Sequence, residues 1–105
     1  SKLFGKVIIQ KNAKIINSVL RGPVIIGENC VIDNSFIGPF TSIYYNSIIK
    51  NSEIEHSIVL ENSKISDINV RIEDSLIGKN VTITKTIEKP KAYRFMLGDS
   101  SKVGI

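Results

Sequence analysis

Five asparagines recur at nearly constant spacing along the chain, and each follows an aliphatic residue by three positions. The intervals are 17, 17, 16 and 18 residues. A period of this length, in phase with a hydrophobic ladder, is typical of a chain that winds into stacked coils. The asparagines therefore predict a solenoid. They are Asn12, Asn29, Asn46, Asn62 and Asn80, and their aliphatic partners are Ile9, Ile26, Ile43, Val59 and Ile77.

Within each coil, aliphatic residues return every five to seven positions, so one coil contains three short strands. Three strands predict a triangular coil with three faces, on which like positions stack as inner columns. The inner column of face 1 is the aliphatic series given above. That of face 2 is Ile15, Ile32, Ile49, Ile65 and Ile83, and that of face 3 is Leu20, Ile37, Ile54 and Ile72.

The corners between faces need backbone conformations that asparagine and glycine tolerate better than other residues. The first asparagine series follows face 1 and defines corner 1. A second polar series follows face 2 and defines corner 2. Amides stacked at a strand spacing of about 4.8 Å can hydrogen-bond along the column, which gives them a structural role. The corner 2 series is Asn17, Asn34, Asn51 and Asp67.

The segments IGENCV (26–31) and IGKNVT (77–82) are the cleanest copies of a hexapeptide repeat. This repeat resembles that of the left-handed parallel β-helix family. The handedness is implied by the resemblance, because the usual crossover rule favours the opposite hand. The expected fold is an all-β, single-stranded, left-handed parallel β-helix of about five triangular coils, with a C-terminal capping strand.

The repeat divides the chain into three parts. Residues 1–6 are expected to be a linker or the remnant of a preceding segment, since the chain begins at Ser1 without a methionine. Residues 7–83 form the β-helix. Residues 84–105 form a polar excursion and then a cap, in which Tyr93, Phe95 and Leu97 alternate as in a half-buried strand.

The charge of the chain narrows the classes of partner. The net charge is +4, and all of the excess lies in residues 79–105, which hold six basic and two acidic side chains. This tail is interpreted as a solvated basic cap, or alternatively as a contact for an acidic surface or a phosphate-bearing ligand. No known nucleic-acid reader motif accompanies the charge, so nucleic acid is not expected. Without a run of ~20 apolar residues or an apolar signal region, the prediction is no membrane and a cytoplasmic location.

Cys30 is the only cysteine, so neither a disulfide framework nor a metal centre is predicted. Its place at a small inward position of the repeat predicts a buried, inert thiol. The sequence also contains no glycine-rich phosphate loop, paired-carboxylate signature or nucleophile elbow. No cofactor or metal site is therefore expected in the chain.

His56, the only histidine, is the one candidate for acid–base chemistry. By register it shares the third corner column with Gly22, Pro39 and Asp74, so that Asp74 lies one coil further along. A histidine oriented by a carboxylate has the arrangement of a general base. The alternative is structural, because other short steps of the repeat place asparagines at the equivalent position.

Three aromatic residues near one corner are candidates for an interface. Tyr44 and Tyr45 replace the Gly-Glu pair of IGENCV, and Phe40 lies shortly before them. Several aromatic side chains on an outer corner are costly to leave in water. They predict contact with another subunit or with a preceding domain.

Longer strings go beyond the general repeat. RGPVIIGENCVIDNSFIGPFTSI (21–43), SEIEHSIVLENSKI (52–65) and RIEDSLIGKNV (71–81) are similar to the C-terminal domain of long-form glucose-1-phosphate thymidylyltransferases of archaea and actinomycetes. The resemblance implies a parent enzyme that uses dTTP, glucose 1-phosphate and Mg²⁺ and releases pyrophosphate. Catalysis in such enzymes belongs to an N-terminal α/β domain, so no catalytic residue carries over.

Two functions are open at this point. The resemblance implies a non-catalytic assembly or regulatory domain that contacts its own N-terminal nucleotidyltransferase domain and forms a homo-oligomer. The alternative is an acetyltransferase acting on an amino-sugar phosphate, with His56 as general base and acetyl-CoA in a groove between subunits. Against the alternative, no long loop interrupts the coils, as usually happens where such a substrate is covered.

Overall fold

The computed structural model describes residues 1–85 together with the backbone of two later strands, and within these residues it contains strands and no helix. Consequently, no helix in the described part could cross a membrane. The strands are β1 (Lys2–Phe4), β2 (Val7–Ile9), β3 (Lys14–Ile16), β4 (Val19–Arg21), β5 (Val24–Ile26), β6 (Val31–Asp33), β7 (Phe36–Ile37), β8 (Thr41–Ile43), β9 (Ile48–Lys50), β10 (Glu53–Glu55), β11 (Ile58–Val59), β12 (Lys64–Ser66), β13 (Ile72–Glu73), β14 (Leu76–Ile77), β15 (Thr82–Thr84), β16 (Met96–Leu97) and β17 (Lys102–Gly104).

Every third strand belongs to the same sheet, and every described pairing is parallel. Face 1 is the sheet β2-β5-β8-β11-β14-β16, face 2 is β3-β6-β9-β12-β15-β17, and face 3 is β1-β4-β7-β10-β13. The chain therefore winds once around three faces and then stacks on itself. This confirms an all-β parallel solenoid of about five turns.

The inner columns have the register that the repeat predicts. Ile26 pairs with Ile9 and Ile43 on face 1, and the equivalent alignment holds on the other two faces. From the second coil onward these side chains are almost completely buried. The smaller residues at the second inward position, such as Cys30 and Ser47, are buried too. A continuous aliphatic column thus fills the prism.

The corners adopt the conformation expected of them. All five asparagines of corner 1 and the whole series of corner 2 have positive φ. In corner 2, Asn17 Nδ2 donates to Asn34 Oδ1 at 3.2 Å, Asn34 Nδ2 to Asn51 Oδ1 at 2.8 Å, and Asn51 Nδ2 to Asp67 Oδ1 at 2.7 Å. The amide ladder therefore ends on a carboxylate, which can only accept when ionised.

Buried serines form a second ladder that supports the narrow interior. The Ser35 backbone N–H donates to Ser18 Oγ at 3.0 Å, and the Ser52 N–H donates to Ser35 Oγ at 3.2 Å. Each hydroxyl in turn donates to a backbone carbonyl two residues earlier, as Ser35 Oγ does to the Asp33 oxygen at 2.8 Å. These contacts satisfy backbone groups that a corner would otherwise leave unpaired.

The ends of the solenoid extend beyond residues 7–83. The segment 1–6, expected to be a linker, contains β1, which pairs with β4 so that Leu3 aligns with Leu20. Leu3 lies six positions before Ile9, and one aliphatic residue is a weak repeat signal. At the other end, β16 and β17 continue faces 1 and 2. The predicted alternation at Tyr93 and Phe95 lies outside the described residues.

Candidate functional site

Corner 3, between face 3 and face 1, differs chemically from the other two corners. Its positive-φ positions are occupied by Gly5 (φ 72°), Phe40 (φ 60°), His56 (φ 50°) and Asp74 (φ 49°) instead of a run of asparagines. A bulky aromatic residue is uncommon in this region of φ. Corner 3 therefore holds an aromatic ring, an imidazole and a carboxylate where an asparagine would cost less.

His56 and Asp74 occupy equivalent positions in successive coils, as the sequence predicted. The register pairs Ile54 with Ile72 before them and Ile58 with Leu76 after them. Both side chains are exposed. Whether either has a catalytic role stays a prediction.

Phe40 joins this corner because corner 3 changes length along the solenoid. Five positions separate Ile37 from Ser42, whereas four separate their partners Ile54 and Ile58. The His56 backbone N–H consequently donates to the Pro39 carbonyl at 3.0 Å, while its ring meets that of Phe40 edge-on, with the centroids 5.4 Å apart.

These residues line an open groove of about 420 Å³ along the edge of face 1. The aliphatic side chains of Ile58 and Leu76 give the groove an apolar wall. Across the part of the chain that the structure describes, no group of three or more His, Cys, Asp or Glu could hold a metal ion. The groove is lined by Phe40, His56, Ser57, Ile58, Asp74, Ser75 and Leu76.

Cys30 is fully buried beneath face 2, as its repeat position predicted. Its Sγ donates to the Tyr44 carbonyl at 2.9 Å. Burial raises the pKa of the thiol above its ordinary value of 9.0, and hydrogen bonds with the backbone of Ser47 and Gly27 oppose this shift only in part. The thiol is thus held protonated and away from solvent.

The outer surface of face 1 carries an aliphatic column that sequence reasoning missed. Ile8, Ile25, Ile58 and Leu76 are each about two-fifths exposed, and Ser42 completes the column. The signal was present, because each residue immediately precedes a member of the face 1 inner column and must point outward by strand alternation.

The predicted interface aromatics lie at the two edges of this surface. Phe40 precedes β8 and is 66% exposed, whereas Tyr44 and Tyr45 follow β8 and are 45% and 47% exposed. The structure therefore brings all three to the same face. Their use as an interface is not tested by these positions alone and stays a prediction.

The other two faces present charge to solvent. On face 3, Arg71 lies 3.2 Å from Glu53 and 3.0 Å from Glu55, and these two carboxylates raise the pKa of the guanidinium. The outer surface of face 2 carries Lys50 and Lys64. Face 1 is the face whose described outward column lacks an ionisable side chain.

The sequence is similar to part of three longer proteins that carry nucleotidyltransferase names. No family model matches the sequence. A protein of Streptomyces antibioticus named glucose-1-phosphate thymidylyltransferase is 48% identical over 103 residues, which is 98% of this chain and 29% of that protein. A protein of Streptomyces griseus with the same name is 43% identical over 105 residues, again 29% of its length.

A third relative is more distant. It is the low-salt glycan biosynthesis nucleotidyltransferase Agl11 of Haloferax volcanii, which is 35% identical over 69 residues, or 65% of this chain and 19% of that protein. The chain thus spans less than a third of the length of the curated relatives that it matches. It is related along its whole length to the C-terminal part of proteins named glucose-1-phosphate thymidylyltransferase.

Proposed function

We propose that this chain is the non-catalytic C-terminal assembly or regulatory domain of a sugar-1-phosphate nucleotidylyltransferase. The observation that carries this proposal is the match of the full chain to 29% of two glucose-1-phosphate thymidylyltransferases. The parent protein would convert dTTP and glucose 1-phosphate into dTDP-glucose and pyrophosphate. Its Mg²⁺ would be bound in the portion that this chain does not match, where the resemblance to the family implies that catalysis takes place.

The chemistry of the solenoid supports an architectural role. The inner columns, the amide ladder of corner 2 and the serine ladder all contact other parts of the same stack. The expected partners are the chain's own N-terminal nucleotidyltransferase domain and further copies of itself. A cytoplasmic location belongs to the same proposal, since the parent reaction consumes a nucleoside triphosphate.

A chimera tests this proposal. The chain would replace the matched region of the Streptomyces antibioticus relative, and pyrophosphate release from dTTP and glucose 1-phosphate would be measured with Mg²⁺. The chimera is expected to turn over, while this chain alone releases no pyrophosphate. Turnover by the chain alone would contradict the proposal. An inactive chimera would also contradict the proposal, provided that the relative stays active when it is truncated before the same region.

Acetyl transfer is a second candidate, and the shared groove of His56 and Asp74 favours it. In this reaction the amine of an amino-sugar phosphate attacks the thioester carbonyl of acetyl-CoA. A C–N bond forms, the C–S bond breaks, His56 takes the amine proton, and CoA leaves as the thiolate. Asp74 would orient the imidazole.

Release of free CoA thiol tests the second candidate directly. The chain and His56→Ala would be compared with acetyl-CoA and glucosamine 1-phosphate as substrates. Turnover that disappears in the variant would establish acetyl transfer. Absence of turnover from folded protein would leave the assembly domain as the function of this chain.

A further inference from the structure

We infer that a groove along corner 2 binds the ring of a neutral pyranose sugar. This ladder groove runs beside the amide ladder, between corner 2 and the outer surface of face 3, and has a volume of about 420 Å³. The inference goes beyond the proposed function and does not rest on it. The lining of the groove includes Val19, Asn34, Phe36, Asn51, Glu53 and Asn69.

The central amides of the ladder keep part of their hydrogen-bonding capacity for a ligand. A side-chain amide has two N–H donors and two acceptor lone pairs. Asn34 Nδ2 donates to Asn51 Oδ1 at 2.8 Å, and Asn34 Oδ1 accepts from Asn17 Nδ2 at 3.2 Å. Asn34 and Asn51 are exposed, so the second donor and the second lone pair of each amide can reach a ligand. A sugar hydroxyl both donates and accepts, and it can therefore use both groups.

The outer surface of face 3 gives the groove an apolar side. Val19 of β4 and Phe36 of β7 are aligned neighbours, and both side chains are half-buried. Glycine at position 38 leaves room for the aromatic ring, because a Cβ atom there would lie 3.0 Å from Phe36 Cε2. A pyranose is apolar on the two sides of its ring and polar around its rim. It therefore fits a groove in which an aromatic side chain lies beside a row of amides.

The charges around the groove favour an uncharged sugar over a sugar phosphate or a nucleotide. Among the described residues that line the groove, Glu53 is the ionisable one. Its carboxylate lies 3.2 Å from the guanidinium of Arg71, which also contacts Glu55 at 3.0 Å. The nearby cation is thus already engaged by two carboxylates. A phosphate group would meet a carboxylate in the groove without the arginine or lysine partner that phosphate sites use.

An irregularity of the repeat lies at one end of the groove. The step from face 2 to face 3 spans five positions between Ile49 and Ile54, but seven between Ile65 and Ile72. The two added residues are 69–70, and the first of them lines the groove with its amide. Insertions within a repeat often lie on the binding face of a solenoid. The longer step therefore supports a binding role for this groove independently of the ladder.

Titration of the ¹⁵N-labelled chain with methyl glucopyranoside, followed by NMR, tests the site. The side-chain amide signals of Asn34, Asn51 and Asn69 are expected to shift and to saturate, because these groups would contact the sugar. The signal of Asn29 in corner 1 is the internal control and is expected to stay in place. Glycerol at the same concentration controls for hydroxyl groups in general, and glucose 1-phosphate tests whether a charged sugar binds better.

Two phenylalanines on face 3 provide a matched pair of variants. An arginine lies over each ring, with its guanidinium carbon 5.9 Å from the centroid of Phe36 and 4.9 Å from that of Phe4, but only Phe36 lines the groove. Phe36→Ala is expected to weaken binding roughly five- to tenfold, whereas Phe4→Ala should leave the affinity unchanged. Asn69→Ala, outside the positive-φ positions of the corner, is also expected to weaken binding. Phe36→Leu replaces Phe36→Ala if the spectrum of the latter shows unfolding.

Saturable shifts at corner 2 that both groove variants weaken would support the site. The absence of saturable shifts at the corner 2 amides, or equal shifts with glycerol, would overturn it. Tighter binding of glucose 1-phosphate than of methyl glucopyranoside would overturn the assignment to a neutral sugar. The chimera experiment on the proposed function measures pyrophosphate release and does not depend on this groove, so failure of one is distinguishable from failure of the other.

Discussion

Single residues at the corners determine how tightly the chain can turn. A positive φ costs an L-residue roughly 1–2 kcal/mol, and asparagine bears this conformation better than most residues. Corners 1 and 2 use asparagine almost throughout, and corner 2 adds a ladder of amide hydrogen bonds. Corner 3 departs from this rule at Phe40, His56 and Asp74, so a functional contribution is to be sought there first.

Two substitutions at His56 separate its conformation from its chemistry. Both His56→Asn and His56→Ala lose the contact with the Phe40 ring. Only alanine lacks a side chain suited to φ 50°. We therefore expect His56→Ala to be less stable than His56→Asn by about 1 kcal/mol in chemical denaturation. Equal stabilities would show that the backbone conformation at this corner places no demand on the side chain.

Cys30 is expected to be unreactive. It is also expected to make the free energy of unfolding depend on pH in the alkaline range. Burial raises the pKa of the folded thiol above 9.0. Below this value both folded and unfolded thiols are protonated, and the stabilising effect is fully present. As pH rises further the unfolded thiol loses its proton first, so the free energy of unfolding falls by up to about 1.4 kcal/mol per pH unit.

Denaturant titrations at pH 8 and pH 10 test this expectation, with Cys30→Ala as the control. The variant should lack the part of the alkaline loss that the thiol causes. A thiol reagent should modify Cys30 of the native chain only at the rate of unfolding. Rapid modification of the folded chain at neutral pH would contradict the buried assignment.

At the scale of the strand, stability depends on how each buried polar group is paired. Most inward hydroxyl groups are satisfied, and Ser63 Oγ donates to the Gly78 carbonyl at 2.9 Å while accepting from the Val81 N–H at 3.2 Å. Among the described residues, Thr41 Oγ1 is the buried side-chain polar atom without a hydrogen-bond partner. Its neighbour one coil earlier on face 1 is Val24.

Opposite effects are therefore expected from removing two buried hydroxyl groups. Thr41→Val replaces an unpaired hydroxyl with the methyl group found at Val24, and should stabilise the chain by about 1 kcal/mol. Ser63→Ala deprives the Val81 N–H of its partner, and should destabilise by roughly 1–3 kcal/mol. Urea denaturation of both variants measures the difference. A destabilised Thr41→Val would show that this hydroxyl has a partner in solution.

The whole molecule is a stack in which each coil is stabilised by its neighbours, so the ends differ from the middle. Leu3 is 50% exposed and Ile9 is 37% exposed, although the next members of their columns, Leu20 and Ile26, are fully buried. The first coil therefore leaves apolar core uncovered. We propose that this end contacts the N-terminal nucleotidyltransferase domain of the parent protein.

The rate of amide hydrogen exchange is expected to vary from coil to coil along the solenoid. At low protein concentration, the amides of β1–β3 are expected to exchange fastest and those of β7–β9 slowest. The reason is that a terminal coil packs against one neighbouring coil and a central coil against two. Uniform protection along the described coils would contradict this expectation.

A matched pair of substitutions provides an independent check. Leu3→Lys and Leu20→Lys affect the same inner column one coil apart. The first should change the thermal midpoint little, because Leu3 is half exposed. The second should prevent folding, because it buries an unpaired charge.

The sequence alone determined the interior. Every coil repeats the same surroundings for its inward and corner residues, so the inner columns, the asparagine corners and the burial of Cys30 recur in the sequence at a readable period. The same repetition predicted that His56 and Asp74 share a column. Strand β1 was missed because a terminal coil has no earlier copy to confirm its register.

Tertiary structure decided the surfaces, since these depend on contacts between coils that no single repeat contains. One residue fewer in corner 3 brings the His56 ring to Phe40 instead of Pro39, and spacing alone did not show this. Strand alternation already indicated that the aliphatic column of face 1 points outward, but the tertiary structure decided that its side chains stay about two-fifths exposed. The same alignment pairs the hydroxyl of Ser63 and leaves that of Thr41 without a described partner, because hydrogen bonds depend on ångström distances that the period does not specify.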